Sequence, residues 1–241
     1  MKEIVKQVSD DFKISSGEAE LIVASLLEKP RFGIYFNNRM DINTKKILNM
    51  KLIQLKKGVP IEYITKKIQF RNFLLRIYPG VFIPRLETEY LIELIEKFVN
   101  LRPEKILEIG TGSGAICITL ATIFPKAKII ATDISQNAIN CASENIERYN
   151  LTEQINLLHC NMFEGLTTKF DLIVTNPPYI VFSLIFIDTS CICDIFIRKW
   201  CDFNTLVSLL TCFFCFGNDI SDNPSLFTLY CQKPDLLICC S

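Results

Sequence analysis

The sequence predicts a doubly wound α/β domain preceded by a small helical domain. Three observations carry this. Between residues 86 and 175, short and nearly continuous apolar runs alternate with stretches of helical periodicity. A glycine-rich pentapeptide, Gly110-Thr111-Gly112-Ser113-Gly114, lies between one such run and the helix that follows it. Residues 1 to about 57 carry helix punctuation instead. Apolar strands joined by helices imply a parallel sheet covered on both faces.

The first helix signal is Ser15-x-x-Glu18, a capping box ahead of Leu21, Ile22, Ala24, Leu26 and Leu27, with Pro30 as its stop. A further helix is expected from Asn43 as N-cap to Lys56-Lys57, where two cations suit the negative helix end and Gly58 supplies a left-handed cap. Between Ile61 and Pro84 the pattern changes to Phe70, Phe73, Leu75, Ile77, Tyr78 and Val81-Phe82-Ile83, a short hairpin. The expected division is a helical domain over 1–75, a hairpin and linker over 76–84, an α/β domain over 85–180 and a tail over 181–241. Within the α/β domain, Leu91, Ile92, Leu94, Ile95 and Phe98 mark a helix. Lys105–Ile109, Lys128–Thr132, Ile155–His159 and Phe170–Thr175 read as strands, with helices over Ser113–Ile123 and Ser135–Tyr149.

Composition narrows the function classes. With 49% hydrophobic residues in 241, the chain can bury an ordinary core. The formal net charge is zero and the pI about 6.6, so nothing at whole-chain level advertises a nucleic-acid or membrane-surface partner. The start, MKEIVKQVSDDFK, lacks the apolar core of a signal peptide, and a cytoplasmic location without disulfides is expected. The longest apolar stretch, Leu206 to Phe216, is interrupted by Ser208 and Thr211 and is shorter than the ~20 residues of a membrane helix.

The pentapeptide follows a strand and opens a helix, where small residues let the backbone turn sharply and approach a ligand. Asp133 lies nineteen residues beyond Gly114, at the end of the next strand, placed to accept hydrogen bonds from two ribose hydroxyls. Strand, loop, helix, strand and acid in register predict a nucleoside site. A pyrophosphate loop reads G-x-G-x-x-G, but here the third glycine comes one residue early, and Glu108 would repel a pyrophosphate. Both details favour a cofactor bearing a sulfonium and an amino group, S-adenosylmethionine.

The strand Phe170–Val174 runs into Thr175-Asn176-Pro177-Pro178-Tyr179, at the sheet edge where such folds place ligands. A bland reading is a proline turn. The chemical reading starts from a delocalised nitrogen, in an amide or aromatic amine, which is a poor nucleophile. The Asn176 side-chain oxygen and the Pro177 carbonyl can each take one of its N–H groups, orienting it and favouring charge that develops in the transition state. Tyr179 can pack a flat face on the planar group. The methyl donor is already an activated electrophile, so this chemistry requires neither a metal nor an enzyme nucleophile.

Over residues 1 to 180 the sequence resembles the HemK/PrmC family of N5-glutamine methyltransferases, which act on the Gly-Gly-Gln loop of peptide chain release factors. Three motifs carry the resemblance: Gly58-Val59-Pro60-Ile61-Glu62-Tyr63-Ile64, Ile83-Pro84-Arg85-Leu86-Glu87-Thr88-Glu89, and Asn176-Pro177-Pro178-Tyr179. It implies a class I, Rossmann-like fold in which Gly110, Thr111, Gly112, Ser113 and Gly114 hold the methionine part of the cofactor. It also implies that Asp133 holds the ribose, Asn161 and Met162 flank the adenine, and Asn176 to Tyr179 hold the substrate glutamine. Leu86 replaces a usual proline, Phe70-Arg71-Asn72 lacks a usual glycine, and Asn161 replaces a usual aspartate. The alternatives are N6-adenine or N2-guanine methylation of DNA or RNA, which can use the same tetrapeptide on a flipped base, and an inactive remnant that binds cofactor or release factor at best.

After Ile180 the resemblance stops, although seven strands are implied. Residues 181–241 contain no glutamate and only three of the 26 Lys+Arg, a composition unlike what precedes them. Cys191-x-Cys193, Cys212-x-x-Cys215 and Cys239-Cys240 have ligand-like spacings, but they share no common spacing and have no histidine nearby, so no metal is expected. The preferred expectation is an out-of-frame tail. The last predicted strand would then lack its outer neighbour and the pocket a wall, with weak cofactor binding and little turnover.

Overall fold

A computed structural model describes residues 1–36, 39–99, 102–162, 164–176, 206–208 and 237–239. The chain divides into two compact units, Met1–Gln69 with Leu74–Pro79, and Phe70–Phe73 with Gly80–Ser241.

The first unit is helical: α1 (Lys2–Phe12), α2 (Ser16–Leu26), a 3₁₀ turn (Arg31–Tyr35), α3 (Ile42–Lys56) and α4 (Ile61–Thr65). Val5 and Val8 of α1, Ile22 and Val23 of α2, Ile34, and Leu48 and Leu52 of α3 form its core. Spacings of three in α1, of three and four from the buried Ala19 in α2, and of four in α3 put them on inward helix faces. The capping box is present: Glu18 N–H donates to Ser15 Oγ at 3.1 Å, and Ser15 N–H to Glu18 Oε2 at 2.8 Å. The N-cap of α3 is Asp41 and not Asn43, because Asp41 accepts from the Thr44 N–H at 2.7 Å and starts the helix two residues earlier. Its carboxylate adds charge to the cap at the positive helix end. At the other end Gly58 N–H donates to Leu55 O and Val59 N–H to Gln54 O, the two bonds of a Schellman cap.

The hairpin strands are β1 (Lys67–Phe70) and β2 (Phe73–Arg76), inside the Ile61–Pro84 stretch that reads as a hairpin and ahead of the 76–84 hairpin and linker span. Arg71 at the turn has a φ of 48°, at the position where the family's glycine is missing. Glu89 accepts its N–H at 3.1 Å and Glu96 its guanidinium at 2.9 Å. Both acids lie on α5 (Leu86–Phe98), and they offset the cost of a side chain in left-handed geometry.

The second unit continues with β3 (Lys105–Ile109), α6 (Ala115–Ile123), β4 (Lys128–Asp133), α7 (Gln136–Arg148), β5 (Ile155–His159) and β6 (Leu172–Thr175). Two short strands follow, β7 (Leu206–Ser208) and β8 (Leu237–Cys239). The sheet order is β5-β4-β3-β6-β7-β8, with every pairing parallel. This is the predicted doubly wound architecture, with six strands among the described residues where the resemblance implies seven. One expectation is corrected: β6 does have an outer neighbour, since Ile173, Val174 and Thr175 pair with Leu206, Val207 and Ser208. Three-residue strands are too short to leave a readable period, which is why the sequence pattern missed them. The frame-shift reading and the cysteine pairs otherwise fall outside the described residues.

The chain winds from β3 out to β5, then returns to β6 on the other side of β3, so strand order reverses between β3 and β6. A crevice at such a reversal, beyond the carboxyl ends of the strands, is where these folds bind ligands. Register brings the ends together, with Ile109 beside Thr132 and Thr175. Among the described residues no helix is long and apolar enough to cross a membrane.

Candidate functional site

The loop after β3 is built on Thr132, whose carbonyl accepts from both the Gly110 and Thr111 N–H groups, at 2.8 and 3.0 Å. Gly112 has a φ of 56°, and a Cβ built on it would meet nothing within 4 Å, so its bare face looks into open space. Gly114 is glycine for a different reason. A Cβ there would lie 3.3 Å from the Ala142 Cβ, so its absence lets α7 approach the start of α6. Asn145 of α7, fully buried, ties the same corner by donating to the Ser113 carbonyl at 2.9 Å.

Asp133 ends β4 with both carboxylate oxygens already engaged. Oδ2 accepts from the Gly112 N–H at 2.9 Å and Oδ1 from the Ser135 N–H at 2.9 Å. Two backbone bonds fix the plane of the carboxylate and leave its remaining lone pairs for a ligand. Beside it, Thr132 Oγ1 donates to the Met162 carbonyl at 2.7 Å, and His159 Nε2 donates to the Ile134 carbonyl at 2.9 Å. These bonds pin two apolar residues at the rim. His159 thus has a structural part.

Glu108 lies behind the loop. It is 1% exposed, and its Oε2 accepts from Thr111 Oγ1 at 2.8 Å and from the Cys117 N–H at 3.0 Å. Burial pushes its carboxyl up to about 7 despite these bonds, and the charge of Asp133 adds to the rise. Its Oε1 has no partner among the described residues. The Cys117 thiol, also fully buried, is pushed well above its ordinary range by burial and then by Glu108. Glu108 does not line the cleft, and its bonds to Thr111 and to the Cys117 N–H brace the loop from behind.

The cleft at the strand reversal measures about 350 Å³, within the size of small-molecule sites. It brings together Gly110, Thr111, Gly112, Ser113, Asp133, Asn161, Met162 and Asn176. Gly114 is not among the lining residues. Pro177, Pro178 and Tyr179 lie outside the described residues.

The residues 79–184 match the family model of the methyltransferase small domain. A release factor glutamine methyltransferase of Dictyoglomus turgidum is 40% identical over 167 residues, covering 68% of this chain and 59% of that protein. One of Gloeobacter violaceus is 32% identical over 171 residues, covering 69% and 60%. The chain is similar to these two release factor glutamine methyltransferases over about two thirds of its own length. It spans about 60% of the length of these two relatives. A bifunctional methyltransferase of Rickettsia conorii is also 34% identical over 223 residues, with 76% of this chain and 41% of that one covered.

Every cleft residue falls inside the span matched to the methyltransferase domain. Sequence reasoning missed several of them. Gly80, Val81, Phe82, Pro84 and Thr88 approach the cleft from the segment before α5 and from its first turn. Thr88 is 4% exposed and accepts from Asn176 Nδ2 at 2.8 Å. The motif Ile83–Glu89 was the signal available for it, but a motif states no partner.

Proposed function

We propose that the chain methylates the side-chain amide nitrogen of the glutamine in the Gly-Gly-Gln motif of a peptide chain release factor, with S-adenosylmethionine as donor. The observation that carries this reading is the cleft, which collects a glycine loop, a fixed carboxylate and Asn176 at one strand reversal. The residues fit the donor. Asp133 offers oriented oxygens to two ribose hydroxyls, the bare face of Gly112 admits a close ligand, and Asn161, Met162 and Ile134 make a half-apolar slot for a purine. When bound, this cofactor supplies a methyl on a sulfonium, which leaves as the neutral thioether once its methyl is taken.

The protein's part is to hold the poor nucleophile. Asn176 follows β6, whose end is tied to β3 by Thr175 Oγ1 donating to the Ile109 carbonyl at 3.1 Å. Its side-chain oxygen, with the Pro177 carbonyl, accepts the two N–H groups of the substrate amide. That orients the nitrogen and stabilises the positive charge it gains, before one N–H proton passes to solvent.

The test offers methyl-labelled S-adenosylmethionine to a release factor, to the same factor with its motif glutamine changed to alanine, and to DNA and RNA. Label on the first protein alone is expected. Label on nucleic acid would favour base methylation, and cofactor binding by calorimetry without any transfer would favour a binding remnant.

A further inference from the structure

Thr88 belongs to the motif Ile83–Glu89 and stands in the first turn of α5, with its N–H bonded to the Arg85 carbonyl at 3.0 Å. Its hydroxyl oxygen takes the Nδ2 hydrogen of Asn176, 88 residues away, at 2.8 Å. We infer that Thr88 is a positioning residue that fixes the Asn176 amide so that its oxygen faces the substrate nitrogen. This rests on the proposed glutamine methylation and adds to it the group that sets the polarity of the site.

A carboxamide is nearly symmetric in shape, and a half-turn about its last torsion exchanges an acceptor for two donors. The two orientations have opposite consequences for the reaction. An oxygen facing the substrate accepts an N–H and supports the charge that nitrogen gains. An NH₂ facing it would oppose the substrate's own N–H groups and compete for the lone pair that must attack. Nothing on β6 itself selects one orientation. Thr88 does, because it spends the Asn176 NH₂ on a hydroxyl held on a different element. The clamp is rigid at both ends: Thr88 is β-branched and 4% exposed, and the residue before Asn176 is pinned to β3.

Thr88→Val keeps the shape and removes the acceptor, while Thr88→Ser keeps the acceptor. In the full chain, Thr88→Val is expected to lower kcat for release-factor methylation by about 10- to 100-fold, as for loss of one oriented group in a charge-stabilising site. KM is expected to change by less than about threefold, since the interaction is one strengthened in the transition state. Thr88→Ser is expected to recover most of the rate. The second readout needs no turnover: the side-chain NH₂ signals of Asn176 in a ¹H–¹⁵N spectrum, identified by their loss in Asn176→Asp. They are expected to shift in Thr88→Val and to return in Thr88→Ser. Unchanged NH₂ signals in Thr88→Val, or a serine variant as impaired as the valine one, overturn the inference. If the wild-type chain methylates no release factor, the methylation reading fails, and the NH₂ signals alone then decide whether the clamp exists.

Discussion

Asp133 is held in place before any ligand arrives, and that is what makes it more than an acid at a strand end. Each oxygen already accepts a backbone N–H, from Gly112 and from Ser135. Asp133→Asn removes the charge and turns an NH₂ toward one of those donors, so one backbone N–H loses its partner. An unmade bond of this kind costs about 1–3 kcal/mol. Affinity for S-adenosylmethionine is expected to fall about tenfold or more, which calorimetric titration of the two proteins measures; equal affinities would remove Asp133 from the site. Asp133 was legible in the sequence because its distance from the glycine loop is set by one helix and one strand. Thr88 and Asn145 were not. Each acts through a side-chain bond to a residue 88 or 32 positions away, and such a bond leaves no periodicity behind.

Elements were legible where burial imposes a pattern. The four strands β3 to β6 appear within two residues of their expected bounds, because strands of a covered parallel sheet are apolar along most of their length. Helix ends were less legible, since capping residues are common and only one in a cluster is used. The N-cap of α3 illustrates this, with Asp41 accepting from Thr44 and Asn43 already inside the first turn. Asp41→Ala is therefore expected to destabilise the helical unit by about 1 kcal/mol, and Asn43→Ala by much less. Hydrogen exchange of α3 amides compares the two, and the reverse ranking would restore Asn43 as the cap. The α6–α7 corner makes a sharper demand. Gly114 has a φ of 81°, and a methyl there meets Ala142 at 3.3 Å. Gly114→Ala combines left-handed strain of roughly 1–2 kcal/mol with a push on α7. Lower exchange protection of α7 and β4 amides is expected, whereas unchanged protection would mean that the corner gives way without cost.

At the scale of the whole molecule, the sheet order places the loop, Asp133 and Asn176 at one strand reversal, and it also buries a carboxylate there. Glu108 is the fourth of the five residues of β3, between Ala131 of β4 and Val174 of β6. With β7 beyond β6, it lies in the middle of a six-stranded sheet. Burial raises its carboxyl from 4.5 to about 7, with Asp133 adding to the effect. The consequence for stability has a definite sign. Below about pH 4.5 Glu108 is protonated in both folded and unfolded chains, and the folded state meets no penalty. As pH rises, the unfolded chain loses this proton first. Folded stability therefore declines until the folded group also ionises near 7, and is flat above. A shift of this size corresponds to on the order of 3 kcal/mol. Glu108→Gln keeps the shape and cannot ionise. The difference in stability between it and the wild type, read from exchange protection of β3 and β4 amides, isolates this group from every other titration. That difference is expected to move in favour of Glu108→Gln between pH 4 and pH 8. A difference independent of pH would mean that water or a rearranged loop already solvates the carboxylate, and that Glu108 does not brace the glycine loop as a neutral acid.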